Sequence, residues 1–340
     1  MCRQNLPKFA EICRQSPAKI EAPPFRSSGI IIEGMTADKK FKVTCAGGAN
    51  VDIQGFPNAP VVMRDSNPGT VRLCAGGVGR NIAENLAHLG ADVTMVSAVG
   101  DDISGELIRQ WCADAGMRTD CIETIPGASS STYLVLNDHL GDMLAAISDM
   151  HIIKGLGADF IQRHAAAFDE AEAIVVDPNL SPEALGAVME GWSNKPIFAD
   201  PISTTYAKVL KQFLPSLYMV KCNRLEAEIL ADMPIKTLTD LHEAADAILK
   251  TGTSRVVITL GSDGVFYKDS NGYCEKRVHP SIDPVSATGA GDAFTGAMVY
   301  AHLAGFDVDR SLELAMHAAE ITLGDTLTVT PKIKRLVEDA

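Results

Sequence analysis

The 340-residue chain lacks a surplus or a cluster of Lys and Arg: 30 basic residues face 43 acidic ones, for a net charge of −13. Binding to a nucleic-acid backbone needs grouped cations, so that class of partner is excluded. A nucleotide held by backbone N–H groups and a metal ion is not. No apolar run has the length of a membrane span, and no secretory signal core opens the chain, so no membrane role is expected and the cytoplasm is the expected compartment. Aromatic residues are scarce, 6% against 46% hydrophobic overall. Such a balance fits an Ala-, Gly- and Val-rich α/β enzyme better than a β-sandwich. The eight cysteines contain no C-x-x-C pair. They read as isolated thiols in a reducing compartment, neither a disulfide frame nor a zinc site.

What is present begins with an atypical leader. Pro7, Pro17, Pro23 and Pro24 punctuate residues 1–40, leaving one helical candidate at 9–15 and a strand candidate at Ile30-Ile31-Ile32. Arg3, Lys8, Arg14, Lys19 and Arg26 stand against only Glu11 and Glu21. An extension, an organelle-targeting segment and the remnant of a fused module all fit these residues. A folded domain is expected over 41–335. Lys42-Val43-Thr44-Cys45-Ala46 reads as a buried strand running into Gly47-Gly48, and 92–99 as the next, with an amphipathic helix at 103–115 closed by Gly116. After Met150 strands are expected at 173–176, 197–200, 217–220 and 255–260, alternating with helices, and a last helical pattern covers 311–322. Short strand candidates at 51–56, 70–75, 131–136 and 142–148 break this rhythm. They predict a small β-sheet projecting from the main body, placed to act as a lid that excludes water.

Several glycine-rich or polar stretches carry chemistry. In Thr288-Gly289-Ala290-Gly291-Asp292-Ala293-Phe294, two glycines permit a tight turn and an apolar run then starts a helix. Free N–H groups at a helix start form an anion site, and Asp292 falls in the first turn. The pairing suits phosphoryl transfer, with donors for the moving charge and a carboxylate for the proton of an attacking hydroxyl. The stretch alone reads equally as a Gly-rich turn with an acid favoured by the helix dipole. Ala75-Gly76-Gly77-Val78-Gly79-Arg80-Asn81 also feeds a helix, with Ile82, Leu86 and Leu89 on one face, but lacks the G-x-G-x-x-G spacing of a dinucleotide site. Asn50 and Asp52 lie just past a strand end, where open α/β sheets bind ligands, and offer a polyol both donors and acceptors. Asn223 and Glu226 have capping chemistry at a helix start, and Thr259-Leu260-Gly261-Ser262-Asp263-Gly264 is a strand leading into a tight turn.

Taken together and in order, these motifs resemble the ribokinase-like (PfkB) carbohydrate kinases over about residues 41–335. The resemblance implies a ribokinase-like three-layer α/β/α sandwich with a small projecting β-sheet lid. It implies that Asp292 is the catalytic base and that the N–H groups of Gly289, Ala290 and Gly291 form the anion hole. Asn50, Asp52, Gly76, Gly77 and Asn81 would hold the acceptor. Asn223, Thr259, Gly261, Ser262 and Gly264 would line the ATP site, with Glu226 serving Mg2+ largely through water. A homodimer through the lid is also implied.

Within the family, Gly76-Gly77-Val78-Gly79-Arg80-Asn81-Ile82-Ala83-Glu84-Asn85-Leu86, Tyr133-Leu134-Val135-Leu136, Asp177-Pro178-Asn179-Leu180-Ser181 and Lys221-Cys222-Asn223-Arg224-Leu225-Glu226 resemble the pseudouridine kinases more than ribokinase or fructokinase. The acceptor would then be a ribose 5′-hydroxyl, and Thr132 and Asn137 in the lid would contact the base. A ribose, fructose or adenosine kinase, or a sensing member without turnover, remain the other readings. Two positions depart from the family pattern. Ser286 stands where many members carry an Asp that supports a monovalent-cation site, which puts potassium activation in question. Cys222 stands where a proline is common.

Overall fold

A computed structural model describes residues 40–277 and 288–338. The expectations for the leader, and for Ser286, lie outside the described residues. Two sheets organise the chain. The strands of the larger are β1 (Lys42–Ala46), β4 (Asp92–Gly100), β5 (Ile122–Ile125), β8 (Ala173–Val176), β9 (Ile197–Ala199), β10 (Met219–Asn223), β11 (Arg255–Thr259), β12 (Val265–Asp269) and β13 (Cys274–Arg277). Their spatial order is β13-β12-β11-β10-β9-β8-β1-β4-β5. Pairings from β5 to β11 are parallel, and the hairpin strands β12 and β13 run antiparallel at one edge. Val-, Ile- and Ala-rich strands buried on both faces are what a covered parallel sheet demands.

The longer helices are α1 (Val78–His88), α2 (Ile103–Asp114), α3 (Pro182–Gly191), α4 (Arg224–Ala231), α5 (Leu238–Leu249), α6 (Ala290–Leu303) and α7 (Val308–Leu323). One apolar core joins the sheet to α1, α2, α6 and α7, and a second joins its other face to α3, α4 and α5. The result is a three-layer sandwich. From β1 the chain builds outward to β4 and β5, then returns to β8 on the other side. Strand order therefore reverses between β1 and β8, and the carboxyl ends there are where open α/β sheets leave a crevice.

The strands that interrupt the alternation form the small sheet. It consists of β2 (Asn50–Pro57), β3 (Gly69–Gly76), β6 (Thr132–Asn137) and β7 (Met143–Asp149), in the order β3-β2-β6-β7. Each expected segment is matched within about a residue or two. One strand of the larger sheet differs more: the apolar run at 217–220 predicts an end before Lys221, but β10 continues through Lys221 and Cys222 to Asn223. The charge does not stop the strand because the Lys221 Nζ is buried against Asp200 Oδ2 at 2.9 Å.

Candidate active site

Three chain segments meet at the start of α6. Gly289 caps the helix in the left-handed region, φ 85°, with no side-chain cap over the first N–H groups. A β-carbon on Gly289 would lie 1.8 Å from the Thr328 carbonyl oxygen, so both the conformation and the space demand glycine. The turn presents the N–H groups of Ala290 and Gly291 at the positive end of a fourteen-residue helix, an arrangement that attracts anions. In the same first turn, Asp292 is buried.

The Asp292 carboxylate is fixed from across the chain: Asn81 Nδ2 donates to its Oδ2 at 2.8 Å. Asn81 lies in the first turn of α1, which packs on α6, and its amide orientation is set in turn by Arg80. The Arg80 guanidinium donates through Nη2 to Asn81 Oδ1 and pairs through Nη1 with Glu84, while its Nε donates to the Gly76 carbonyl at 3.0 Å. With its oxygen so engaged, Asn81 must turn its NH2 to Asp292. Burial, then the charge of Asp200, push the Asp292 carboxyl up to about 7; Lys221, Asn81 and Arg80 pull the other way.

Lys221 and Asp200 were absent from the site expected from sequence. Asp200 follows β9 and Lys221 lies in β10, so both reach the carboxyl end of the sheet beneath α6. A β-carbon on Gly291 would sit 2.5 Å from Lys221 Nζ, which places the ammonium directly behind the helix start. Thr295 donates from Oγ1 to Gly291 O at 3.0 Å and contacts Asp200 Oδ2 at 3.5 Å. The signal for Lys221 was a lone cation following an apolar strand pattern.

The polar pair at the start of the small sheet is preorganised. Asn50 Nδ2 donates to Asp52 Oδ1 at 2.6 Å, and Asp52 is raised to about 6, chiefly by burial. Gly76 faces Asn50 across the β2–β3 ladder, where a β-carbon would meet Asp52 Oδ1 at 2.1 Å. Gly77, at φ 97°, would bring a β-carbon to 2.3 Å from the Gly48 carbonyl oxygen. Thus Asn50, Asp52, Gly76, Gly77 and Asn81 form one cluster beside Asp292. Thr132 lies near it in register, opposite Val51. Asn137 does not: five residues further along β6, on the order of 17 Å away, its amide donates to the Gly55 carbonyl at 3.2 Å beside a β-bulge.

On the other flank, Asn223 and Glu226 close a reciprocal capping box, with Glu226 N–H to Asn223 Oδ1 at 2.9 Å and Asn223 N–H to Glu226 Oε2 at 2.8 Å. Asn223 is in register with Thr259, whose hydroxyl donates to the Cys222 carbonyl at 3.4 Å. Gly261 and Gly264 have φ of 61° and 88° and border an exposed Ser262. Gly261 is required for backbone shape alone, since a β-carbon there would meet nothing.

Among the described residues no group of three or more His, Cys, Asp and Glu could hold a metal by itself. Yet Asp200, Glu226 and Asp292 gather around the single ammonium of Lys221, and burial and Asp200 raise Glu226 above its ordinary value. That uncompensated negative charge suits a hydrated divalent cation whose remaining ligands come from a phosphate chain.

The pfkB family carbohydrate kinase model matches residues 40–335. The chain belongs to the PfkB carbohydrate kinases. This kinase is a phosphotransferase with a hydroxyl acceptor. It is 33% identical to the pseudouridine kinase of Escherichia coli, over 89% of this chain and 98% of that one. It is 28% identical to the guanosine-inosine kinase of Exiguobacterium acetylicum, over 84% of this chain and 95% of the relative. Its fold matches Arabidopsis thaliana ribokinase, solved with ribose and ATP, at a TM-score of 0.76, 21% identity, and coverage of 88% and 99%. No helix among the described residues is long and apolar enough to cross a membrane.

Proposed function

We propose that this kinase transfers the γ-phosphoryl group of ATP to the 5′-hydroxyl of pseudouridine. The observation that carries the choice of acceptor is the 33% identity to pseudouridine kinase across 98% of that enzyme's length. Asn50, Asp52, Gly76, Gly77 and Asn81 hold the ribose, and Thr132 lies toward the base. Asn137 takes no part in base binding in this reading, being committed to the Gly55 carbonyl. Asp292 accepts the hydroxyl proton. The N–H groups at Gly289, Ala290 and Gly291 receive the charge that builds on the transferring phosphoryl oxygens, with Lys221 behind them. Asn223, Thr259, Gly261, Ser262 and Gly264 take the nucleotide. Glu226 would hold Mg2+ through water, and that ion would neutralise phosphate charge when bound.

Turnover of ATP against pseudouridine, uridine, guanosine, adenosine, ribose and fructose tests the acceptor. Pseudouridine is expected to give the highest kcat/KM. A higher value for guanosine would favour the reading that the guanosine-inosine kinase similarity supports.

We further propose that two copies pair through the small sheet. The register places Leu73, Ile53, Leu134 and Ile147 in one row across it, with Val71 and Leu136 in the next. Ile147 and Val71 are each 66% exposed, and both β3 and β7 are open edges. A contiguous apolar face of this kind fits a second copy of the same sheet.

A further inference from the structure

The carboxylate most deeply enclosed beside the site has no part in the chemistry above. Asp177, immediately after β8, is fully buried, and among the described residues no Lys, Arg or His pairs with it. Its partners are three backbone N–H groups and the side-chain amide of Asn179. A single oxygen, Oδ2, accepts from Gly48 N–H at 2.9 Å and Gly79 N–H at 2.7 Å; Oδ1 accepts from Asn179 N–H at 2.9 Å. An uncompensated buried carboxylate is costly to keep, so its arrangement calls for a reason.

The two N–H groups on Oδ2 come from different turns. Gly48 leads through Ala49 into Asn50 and Asp52; Gly79 leads through Arg80 to Asn81. The turns touch directly as well, Arg80 N–H donating to the Gly48 carbonyl at 3.1 Å. Glycine allows the approach: a β-carbon on Gly47 would lie 2.5 Å from Asp177 Oδ2, and one on Gly79 2.8 Å from it. A carboxylate oxygen can take both N–H groups while its twin takes the third. An amide cannot, because one of its two ends is a donor.

We infer that Asp177 is a positioning residue which fixes the separation of the two turns that carry Asn50, Asp52 and Asn81, and so sets affinity for the acceptor without touching it. This rests on the acceptor-side assignment of those turns. It leaves the nucleotide flank, built on β10 and β11, untouched.

The test is steady-state kinetics of Asp177→Asn, using whichever acceptor the wild-type enzyme turns over best. A mistaken acceptor is thereby exposed by the wild-type panel, and a mistaken role for Asp177 by the variant. Losing at least one charge-assisted hydrogen bond should raise the acceptor KM about tenfold or more while the ATP KM stays within about twofold. Leu185→Ala, a cavity in the core on α3, serves as the control for mere destabilisation: its melting temperature should fall with the acceptor KM unchanged. Should Asp177→Asn not fold, Gly79→Ala pushes one turn off the same oxygen and must give the same split. Acceptor and ATP KM moving together, or neither moving, would overturn the inference.

Discussion

In the proposed role Asp292 must be ionised to accept a proton, yet it is buried beside the charge of a second carboxylate, Asp200. With its carboxyl raised to about 7, half of the enzyme has a competent base near neutrality. The kcat/KM of this kinase should therefore climb with pH and level off above about 7. Asn81→Ala removes a donor that favours the ionised form and should move that limb to higher pH. Asp292→Asn should lower kcat by roughly 10²–10⁴-fold. It should also stabilise the fold at alkaline pH. Because the folded value lies above the ordinary 3.8, the carboxyl is no burden at acid pH, and its cost to the native state grows as pH rises through about 7. Thermal melting should thus show the variant above wild type at pH 8, with the gap closing toward pH 4; a gap independent of pH would refute the assignment.

At the scale of elements, the start of α6 separates two demands on glycine. Gly289 is held at positive φ against the Thr328 carbonyl, a rigid backbone neighbour, so Gly289→Ala should lower stability by about 1–3 kcal/mol along with activity. The neighbour of Gly291 is the ammonium end of Lys221, a side chain that can shift along Asp200 where the Thr328 backbone cannot move. Gly291→Val should therefore melt near wild type while turnover drops about 10²-fold or more, since the added side chain crowds the N–H groups. Calorimetry and turnover on the pair would tell these apart. Much of this element was legible in the chain, because Gly-x-Gly-Asp before an apolar run implies a turn, a helix and a first-turn acid by local rules. The small sheet was legible too, its strands breaking an otherwise regular alternation. The pairing of Lys221 with Asp200 was not: each is a charged residue buried because the other meets it from the neighbouring strand, and a pattern read from apolar runs stops at Lys221. Arg80 and Asp177 stand in the quoted motifs, but their hydrogen bonds, to Gly76, Asn81 and Glu84 and to Gly48 and Gly79, exist only once the turns have folded. Asn137 shows the opposite limit: its composition suits base recognition, but the strand's length carries it away from the site.

For the whole molecule, the apolar face of the small sheet is the part that a single chain leaves unfinished. Replacing Leu73 and Ile147 by Lys would set charges at both edges of the proposed contact. Sedimentation velocity should find wild type as a dimer and the double variant as a monomer; equal sedimentation of both would remove the sheet from the interface. Another property follows from the hydrogen bond between Asn81 and Asp292, whose partners are 211 residues apart. The residues proposed to hold the acceptor and the helix that carries Asp292 belong to opposite ends of the domain. A polypeptide still emerging from the ribosome can form β1, the first turns and the small sheet long before α6 exists. In the proposed mechanism no unfinished chain then has a base facing its phosphate site, and bound ATP is not exposed to wasteful hydrolysis until the segment from α6 onward has docked.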